Sequence, residues 1–309
     1  MTNAPDVVHS SGAPEFRAAG TDLSERRRTG VSRGPVVDLV PTSEMMHVHW
    51  DATGAAQIGA SVTIAALAAD PRIATAYAGI AAAAAGLATP QVRHLATLGG
   101  NLAQRSRCWY YRNPHIPCLK KGGARCPARD GNHLYGVAFD LGPCVAPHPS
   151  TMAAALLAYD ATVATDRRAG LTIAALLGDG TNGASDNALQ PGEAIASIHL
   201  ATPVANERAF YKRAISRSYA EWPLVEVVVR IVVENGIFQG ARLSAGGLAP
   251  VPIRLPQAEA ALVGAPANSD TIAIASRASS LGAKPLPMTG YKLDLLAGLV
   301  QDLLEQGLR

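Results

Sequence analysis

All four cysteines of the chain fall between Cys108 and Cys144, and the segment that carries them, residues 105–146, has no sustained hydrophobic period. It is rich in Pro, Gly, Asn and clustered charge, as in Arg105-Ser-Arg-Cys-Trp-Tyr-Tyr-Arg112 and Cys118-Leu-Lys-Lys-Gly-Gly-Ala-Arg-Cys126. An irregular stretch longer than about 12–15 residues is uncommon in a compact domain unless it is functional or internally clamped. Nine, seven and seventeen residues separate successive cysteines. That spacing contains no C-x-x-C pair and matches neither a zinc finger or ribbon nor the compact ferredoxin run. A structural disulfide is disfavoured in a cytosolic chain. Spacing alone leaves a metal site and buried unpaired thiols both open. Arg107, Arg112, Lys120, Lys121 and Arg125 lie among the cysteines, and nearby positive charge favours thiolates and an anionic cluster.

The rest of the chain surrounds this segment with a conventional core. Of 309 residues 48% are hydrophobic and 17% charged, which excludes disorder and leaves room for two domains. The net charge of +3 and the dispersed basic residues are a weak footprint for nucleic-acid binding, which we do not expect. Residues Met1 to Asp6 carry no basic segment followed by an apolar run, so no signal peptide of the usual kind is expected. The uncharged stretch from Ile73 to Pro90 is alanine-dominated and reads as a buried helix rather than a membrane span. The chain is expected to be soluble and cytoplasmic.

The element pattern is α+β. A short strand, a turn at Gly20 and a helix start are expected over 14–23, with Thr21 or Asp22 as cap. Strands are expected at 36–40, 47–50, 56–60 and 161–165, and helices at about 63–69, 73–88 and 150–159. Residues 178–192 have loop composition, and a boundary lies near 200–208. Asn235-Gly236 predicts a type I′ hairpin within 226–243, and Leu293 to Leu304 predict an amphipathic helix.

Two glycine turns, Ala19-Gly-Thr-Asp22 and Leu98-Gly-Gly-Asn101, each precede a probable helix. Exposed backbone N–H groups at such turns bind phosphate oxygens, so the pair could clamp one pyrophosphate from both sides; it could equally be two ordinary turns. Neither matches G-x-G-x-x-G or the P-loop. The histidines form no H-E-x-x-H, and no Ser/His/Asp set or G-x-S-x-G elbow is present.

Three strings occur in a telling order: Arg17-Ala-Ala-Gly-Thr-Asp-Leu23, Gln91-Val-Arg-His-Leu-Ala-Thr-Leu-Gly-Gly-Asn-Leu102 and His148-Pro-Ser150. Phe210-Tyr-Lys212, Arg217-Ser218, Ala245-Gly-Gly-Leu-Ala249 and Tyr291-Lys292 follow. The ordered set resembles the FAD-binding (medium) subunit of the xanthine dehydrogenase, or molybdenum hydroxylase, family. The cysteine pattern resembles the subset with a [4Fe–4S] insert, as in the FAD subunits of aldehyde oxidoreductases and of 4-hydroxybenzoyl-CoA reductase.

The resemblance implies a two-subdomain FAD-binding domain of the vanillyl-alcohol-oxidase/PCMH type over 1–203, with a shortened first subdomain to about residue 55 and the cluster loop at about 105–146. A small C-terminal α+β domain of the CO-dehydrogenase flavoprotein type would span 204–309. It implies that Arg17, Ala18, Ala19, Gly20, Thr21, Asp22 and Leu23, with Ala96, Thr97, Leu98, Gly99, Gly100 and Asn101, hold the FAD pyrophosphate. Ala88 and Val92 would lie near them, His148, Ser150 and Thr151 near the adenosine end, and Ile195 and Lys212 near the isoalloxazine. Cys108, Cys118, Cys126 and Cys144 would ligate the cluster. Ala19 and Thr151 stand where the family usually has Gly and an acidic residue. The implied role is electron transfer from iron–sulfur centres to FAD and on to an external acceptor, with no catalytic acid or base on this chain. The implied partners are a small [2Fe–2S] subunit and a large molybdopterin-binding subunit, through which export to the periplasm is a further possibility. The rival expectation is a non-enzymatic subunit stabilised by zinc or a cluster that has lost FAD.

Overall fold

The computed structural model of the chain describes residues 14–216 and 221–309. Strand β1 (Glu15–Arg17), helix α1 (Leu23–Arg28) and strand β2 (Val36–Asp38) form a small unit in which the two strands pair in parallel. The turn between β1 and α1 closes at Gly20, whose φ of +74° suits a residue without a Cβ. Ala19 is not among the residues with positive φ, so its methyl group sits on ordinary backbone.

The second unit is a five-stranded antiparallel sheet. It comprises β3 (Val48–Trp50), β4 (Ala56–Gly59), β5 (Thr162–Thr165), β6 (Leu171–Thr172) and β7 (Ile195–Leu200), in the order β3-β4-β7-β5-β6. Helices α2 (Ile64–Ala69), α3 (Pro71–Ala76), α4 (Ala78–Gly86), α5 (Pro90–Leu95) and α6 (Leu98–Leu102) lie between β4 and β5 in the chain. The short α7 (Trp109–Arg112), then α8 (Thr151–Ala158), follow before β5, and α9 (Ile173–Leu177) follows β6. Ile58, Ile64, Leu67, Ile80, Leu98, Met152, Leu156, Val163 and Ile198 form a dry core beneath the sheet. Helix α4 is mostly alanine and helix α8 is half alanine and buried along nearly its whole length, which lets them pack closely.

The single helix expected over about 73–88 is two helices broken at Tyr77, where φ is −139° and ψ 57°. The Tyr77 ring is fully buried, and its Oη donates to the carbonyls of Ala201 (2.9 Å) and Gly54 (3.2 Å). That tertiary anchor outweighs the helical preference of the surrounding alanines.

The third unit is a second antiparallel sheet of β8 (Glu207–Ala214), β9 (Val225–Glu234), β10 (Ile237–Gly246) and β11 (Ile253–Arg254), ordered β11-β10-β9-β8. Helices α10 (Pro256–Leu262), α11 (Ser269–Ala278) and α12 (Tyr291–Leu308) cover it. Asn235 and Gly236 both have positive φ, 52° and 73°, as the expected type I′ turn requires. Arg217 and Ser218 lie outside the described residues.

Residues 105–146 contain only α7 and a 3₁₀ turn at Leu119–Lys121, and their own apolar cluster is little more than Cys126, Ala128, Val137 and Val145. The segment docks on the third unit instead. The N–H groups of Ala138 and Phe139 donate to the Leu248 carbonyl (2.8 and 3.0 Å), Thr289 Oγ1 donates to Val137 (2.8 Å), and Tyr291 Oη donates to Leu134 (3.0 Å). Among the described residues, no helix is long and apolar enough to cross a membrane.

Candidate functional site

Two cavities, of about 140 and 260 Å³, meet at Thr21, Asp22, Gly100 and Gln104. The first is lined by the whole Arg17–Leu23 turn together with Thr97, Gly99 and Ile195. The second is lined by Ala88, Val92, Ala96, Asn101 and Thr151. Both glycine turns therefore border one continuous space, and sixteen of the twenty residues expected to hold the cofactor line it.

The turns differ in what they offer that space. At the second, the N–H groups of Leu98, Gly99 and Asn101 donate to the carbonyls of Val62, Ala60 and Thr97, and Gly100 N–H donates to Thr97 Oγ1. At the first, no acceptor among the described residues is bonded to the N–H groups of Ala18, Ala19, Gly20, Thr21 or Asp22. This row of donors is where an anionic group would be held, since polar backbone groups withdrawn from water require partners. The expected two-sided clamp is thus one-sided in its hydrogen bonding. Gly99 and Gly100 contribute close approach: a Cβ on Gly99 would stand 2.8 Å from Ala60 Cβ, and one on Gly100 2.9 Å from Thr97 Oγ1.

Four expected residues line neither cavity. Leu98 is fully buried in the core. Ser150 accepts from Ala153 N–H as the cap of α8, and its Oγ donates to Asn101 Oδ1 (2.6 Å), bracing the second turn from behind. His148 is buried, accepts the Ser150 N–H at Nδ1 (3.3 Å), and is held neutral because burial lowers its pKa to about 4. Lys212 is exposed and pairs with Asp302 of α12 at 2.6 Å. Side chains alternate along a strand, so Lys212 of β8 faces α12, and its neighbour Arg213 lines the second cavity instead. The strand period is the signal that separates these two residues. Thr151, in place of the usual acid, bonds to the buried Glu226 carboxyl, which also accepts from Tyr211 Oη (2.9 Å).

Ala88, on the wall of the second cavity, has a positive φ of 49°, unusual for a residue with a Cβ. Arg93 Nη1 pins it by donating to the carbonyls of Leu87 (2.8 Å) and Ala88 (2.9 Å).

Asp22 makes no side-chain cap for α1, contrary to expectation. Its carboxylate is taken by arginines: Arg26 Nε at 3.0 Å, Arg112 Nη2 at 2.7 Å and Arg107 Nη2 at 3.0 Å. Burial alone would raise the Asp22 pKa, but Arg107, Arg112 and Arg26 together hold it below the usual carboxylate value. A second network joins Arg105 and Lys120 to the buried Asp186, at 2.7 and 2.8 Å. Burial opposes ionisation there too, and the two cations bring Asp186 to about 2. No pattern in the loop composition of 178–192 marks Asp186 beforehand.

The four cysteines line one small cavity together with Ser106, Tyr110, Tyr111, Leu119, Lys120, Pro127 and Ala146. All four are free thiols, and Cys118, Cys126 and Cys144 are buried. Backbone N–H groups reach every sulfur: those of Tyr111 and Tyr110 at Cys108, Lys120 and Lys121 at Cys118, Val145 and Ala128 at Cys126, and Ala146 at Cys144. Cys126 and Cys144 also share a hydrogen bond. Most of the expected positive charge is already spent on carboxylates: Arg107 and Arg112 on Asp22 and Glu25, Lys120 on Asp186, Arg125 on Asp130. Lys121, whose Nζ donates to the carbonyls of Tyr110 and Asn113, has no such pairing among the described residues and stands beside Cys118. Among the described residues, no group of three or more His, Cys, Asp or Glu side chains is arranged to hold a metal ion.

Comparison with known proteins bears on the whole arrangement. Residues 3–203 match the family described as the FAD binding domain in molybdopterin dehydrogenase, and residues 209–306 match the CO dehydrogenase flavoprotein C-terminal domain. The aldehyde oxidoreductase FAD-binding subunit PaoB of Escherichia coli is 33% identical over 266 residues, covering 84% of this chain and 82% of that one. Among solved structures, quinoline 2-oxidoreductase from Pseudomonas putida 86 superposes with a TM-score of 0.71 at 19% identity, over 95% of this chain and 88% of that chain. Carbon monoxide dehydrogenase from Hydrogenophaga pseudoflava gives 0.71 at 19% identity, over 94% and 87%. The fold, the cavity between the glycine turns and these likenesses agree: the chain belongs to the FAD-binding subunits of the molybdopterin-dependent dehydrogenases.

Proposed function

We propose that the chain holds FAD across the two meeting cavities and a [4Fe–4S] cluster on Cys108, Cys118, Cys126 and Cys144. It would serve as the electron-transfer flavoprotein of an aldehyde- or xanthine-oxidising molybdenum hydroxylase. A large molybdopterin-binding subunit and a small [2Fe–2S] subunit are its partners in this reading, and an external acceptor takes the electrons. The observation that carries it is the row of N–H groups from Ala18 to Asp22 that have no partner among the described residues, on residues that line the same cavity as Gly99 and Gly100.

FAD, when bound, supplies the redox chemistry, and the protein's part is binding, orientation and electrostatics. Ala18–Asp22 would hold the pyrophosphate, Ile195 lines the same cavity, and Ala88, Val92, Thr151 and Arg213 line the other. The cysteine site fits a cluster on two grounds. The four cysteines line one small cavity, and backbone N–H groups at each sulfur would offset the charge of a thiolate-ligated cluster and tune its potential.

An absorption spectrum of the purified chain tests both halves, with flavin bands plus a broad iron–sulfur shoulder as the expected result. Zinc by elemental analysis with no colour would overturn the proposal in favour of a non-enzymatic metal-stabilised subunit. Cys118→Ser should remove the iron–sulfur absorbance, and unchanged iron content would sink the ligand assignment.

A further inference from the structure

Within its own unit the first glycine turn is held by Arg26 Nε on Asp22 (3.0 Å) and by the Ser24 N–H on the Gly20 carbonyl (2.9 Å). Beyond the β1–β2 pairing, neither β1 nor α1 packs extensively on another helix or strand. The turn's other side-chain anchors come from the cysteine segment. Arg107 precedes Cys108 and Arg112 follows it by one helical turn, and both guanidinium groups close on Asp22 (3.0 and 2.7 Å) and on Glu25 (2.9 and 2.6 Å). The Arg105 backbone N–H adds a further contact to Asp22 Oδ2 at 3.2 Å. Arg112 also donates to the carbonyls of Ser106 (2.7 Å) and Arg105 (3.0 Å), fixing the backbone that presents Cys108 to the sulfur-lined cavity. The side chains of Arg112 and Asp22 retain only 9% and 14% of their exposure, so this is a sheltered contact rather than a surface ion pair.

We infer that Arg112 is a positioning residue that links the two cofactor sites, alongside Arg107, which also lines the second cavity: ordering the cysteine segment orders the flavin turn, and the reverse. The inference rests on the reading that FAD and a cluster bind where proposed. Any such link between binding free energies is reciprocal, so each cofactor strengthens retention of the other. The bridge is made of charged hydrogen bonds, and losing one corresponds to about a tenfold or larger change in an equilibrium constant.

The test uses the full-length chain, with FAD affinity from flavin fluorescence titration and iron from a colorimetric assay. Arg112→Ala should weaken FAD binding about tenfold or more, although it lies outside the flavin cavities. Asp22→Asn should lower iron content, although it bears no cysteine. The double variant should lose less FAD affinity than the two single losses added together, because the substitutions share the Asp22–Arg112 contact. Arg125→Ala, an exposed arginine of the same segment, should change neither quantity. Arg112→Lys should recover part of the loss, and it decides the FAD arm if Arg112→Ala does not fold. Parent-like FAD affinity in the Arg112 variants, full iron in Asp22→Asn, or an effect in one direction only would overturn the link. A parent chain lacking flavin or iron would instead defeat the underlying cofactor reading, and this inference with it.

Discussion

The two glycine turns look alike in sequence and are built in opposite ways. The Leu98–Asn101 turn is anchored in the main core: Leu98 is fully buried, and its N–H groups are satisfied by Ala60, Val62 and Thr97. The Ala18–Asp22 turn sits on a two-stranded sheet, has no partner for its N–H groups among the described residues and is held by Arg26 and by arginines from the cysteine segment. A binding site assembled from one rigid wall and one adjustable wall places the burden of affinity on the adjustable one. There, donors kept free for a ligand are donors not used to stabilise the fold.

Substituting each turn separately should expose the contrast most strongly. Gly99→Val drives a side chain into Ala60, whose Cβ would be 2.8 Å from the new Cβ, and should cost about 3 kcal/mol of global stability by overpacking. Thermal unfolding should show it as a clear fall in Tm. Gly20→Ala forces a residue with a Cβ into a φ of +74°, a local strain of about 1–2 kcal/mol in a turn outside the core. It should lose flavin with a much smaller change in Tm. Equal losses of Tm in the two variants would erase the distinction.

Acid should act on the cysteine segment by way of Asp186, which pairs with Arg105 and Lys120. Its pKa is about 2 in the fold against an ordinary value of 3.8, so the folded state favours the ionised carboxylate. That contribution is fully present above about pH 4 and is lost as the pH falls through about 2, amounting to about 2 kcal/mol. Asp186→Asn should flatten this part of the stability–pH profile; an unchanged acid limb would remove Asp186 as its cause. The smallest effect is expected at Lys212→Ala. Lys212 and Asp302 are both about half exposed, and such pairs contribute little, so flavin affinity and stability should both stay near the parent. A tenfold loss of FAD would show that Lys212, rather than Arg213, faces the cofactor.

Much of the architecture was legible in the residues. The β1 strand and its turn, the Asn235-Gly236 hairpin, the amphipathic last helix and the irregular cysteine segment follow from periodicity and turn chemistry, which act over a few residues. The break at Tyr77 was not legible, because it depends on carbonyls of Gly54 and Ala201 that are remote in the chain. The same holds for the assignment of Lys212. A string match aligns residues, whereas the face a strand residue presents is set by pairing and packing.

The ordered strings, by themselves, determined the family, and the cysteine spacing placed four thiols in one segment, because such features are read from neighbouring residues. Tertiary structure alone decided how the sites are joined. Asp22 and Arg112 are ninety residues apart and carry no mutual pattern, yet their 2.7 Å contact ties the flavin turn to the cysteine segment. Local chemistry is written in neighbouring residues, while a charge pair between distant segments exists only once the core has brought them together.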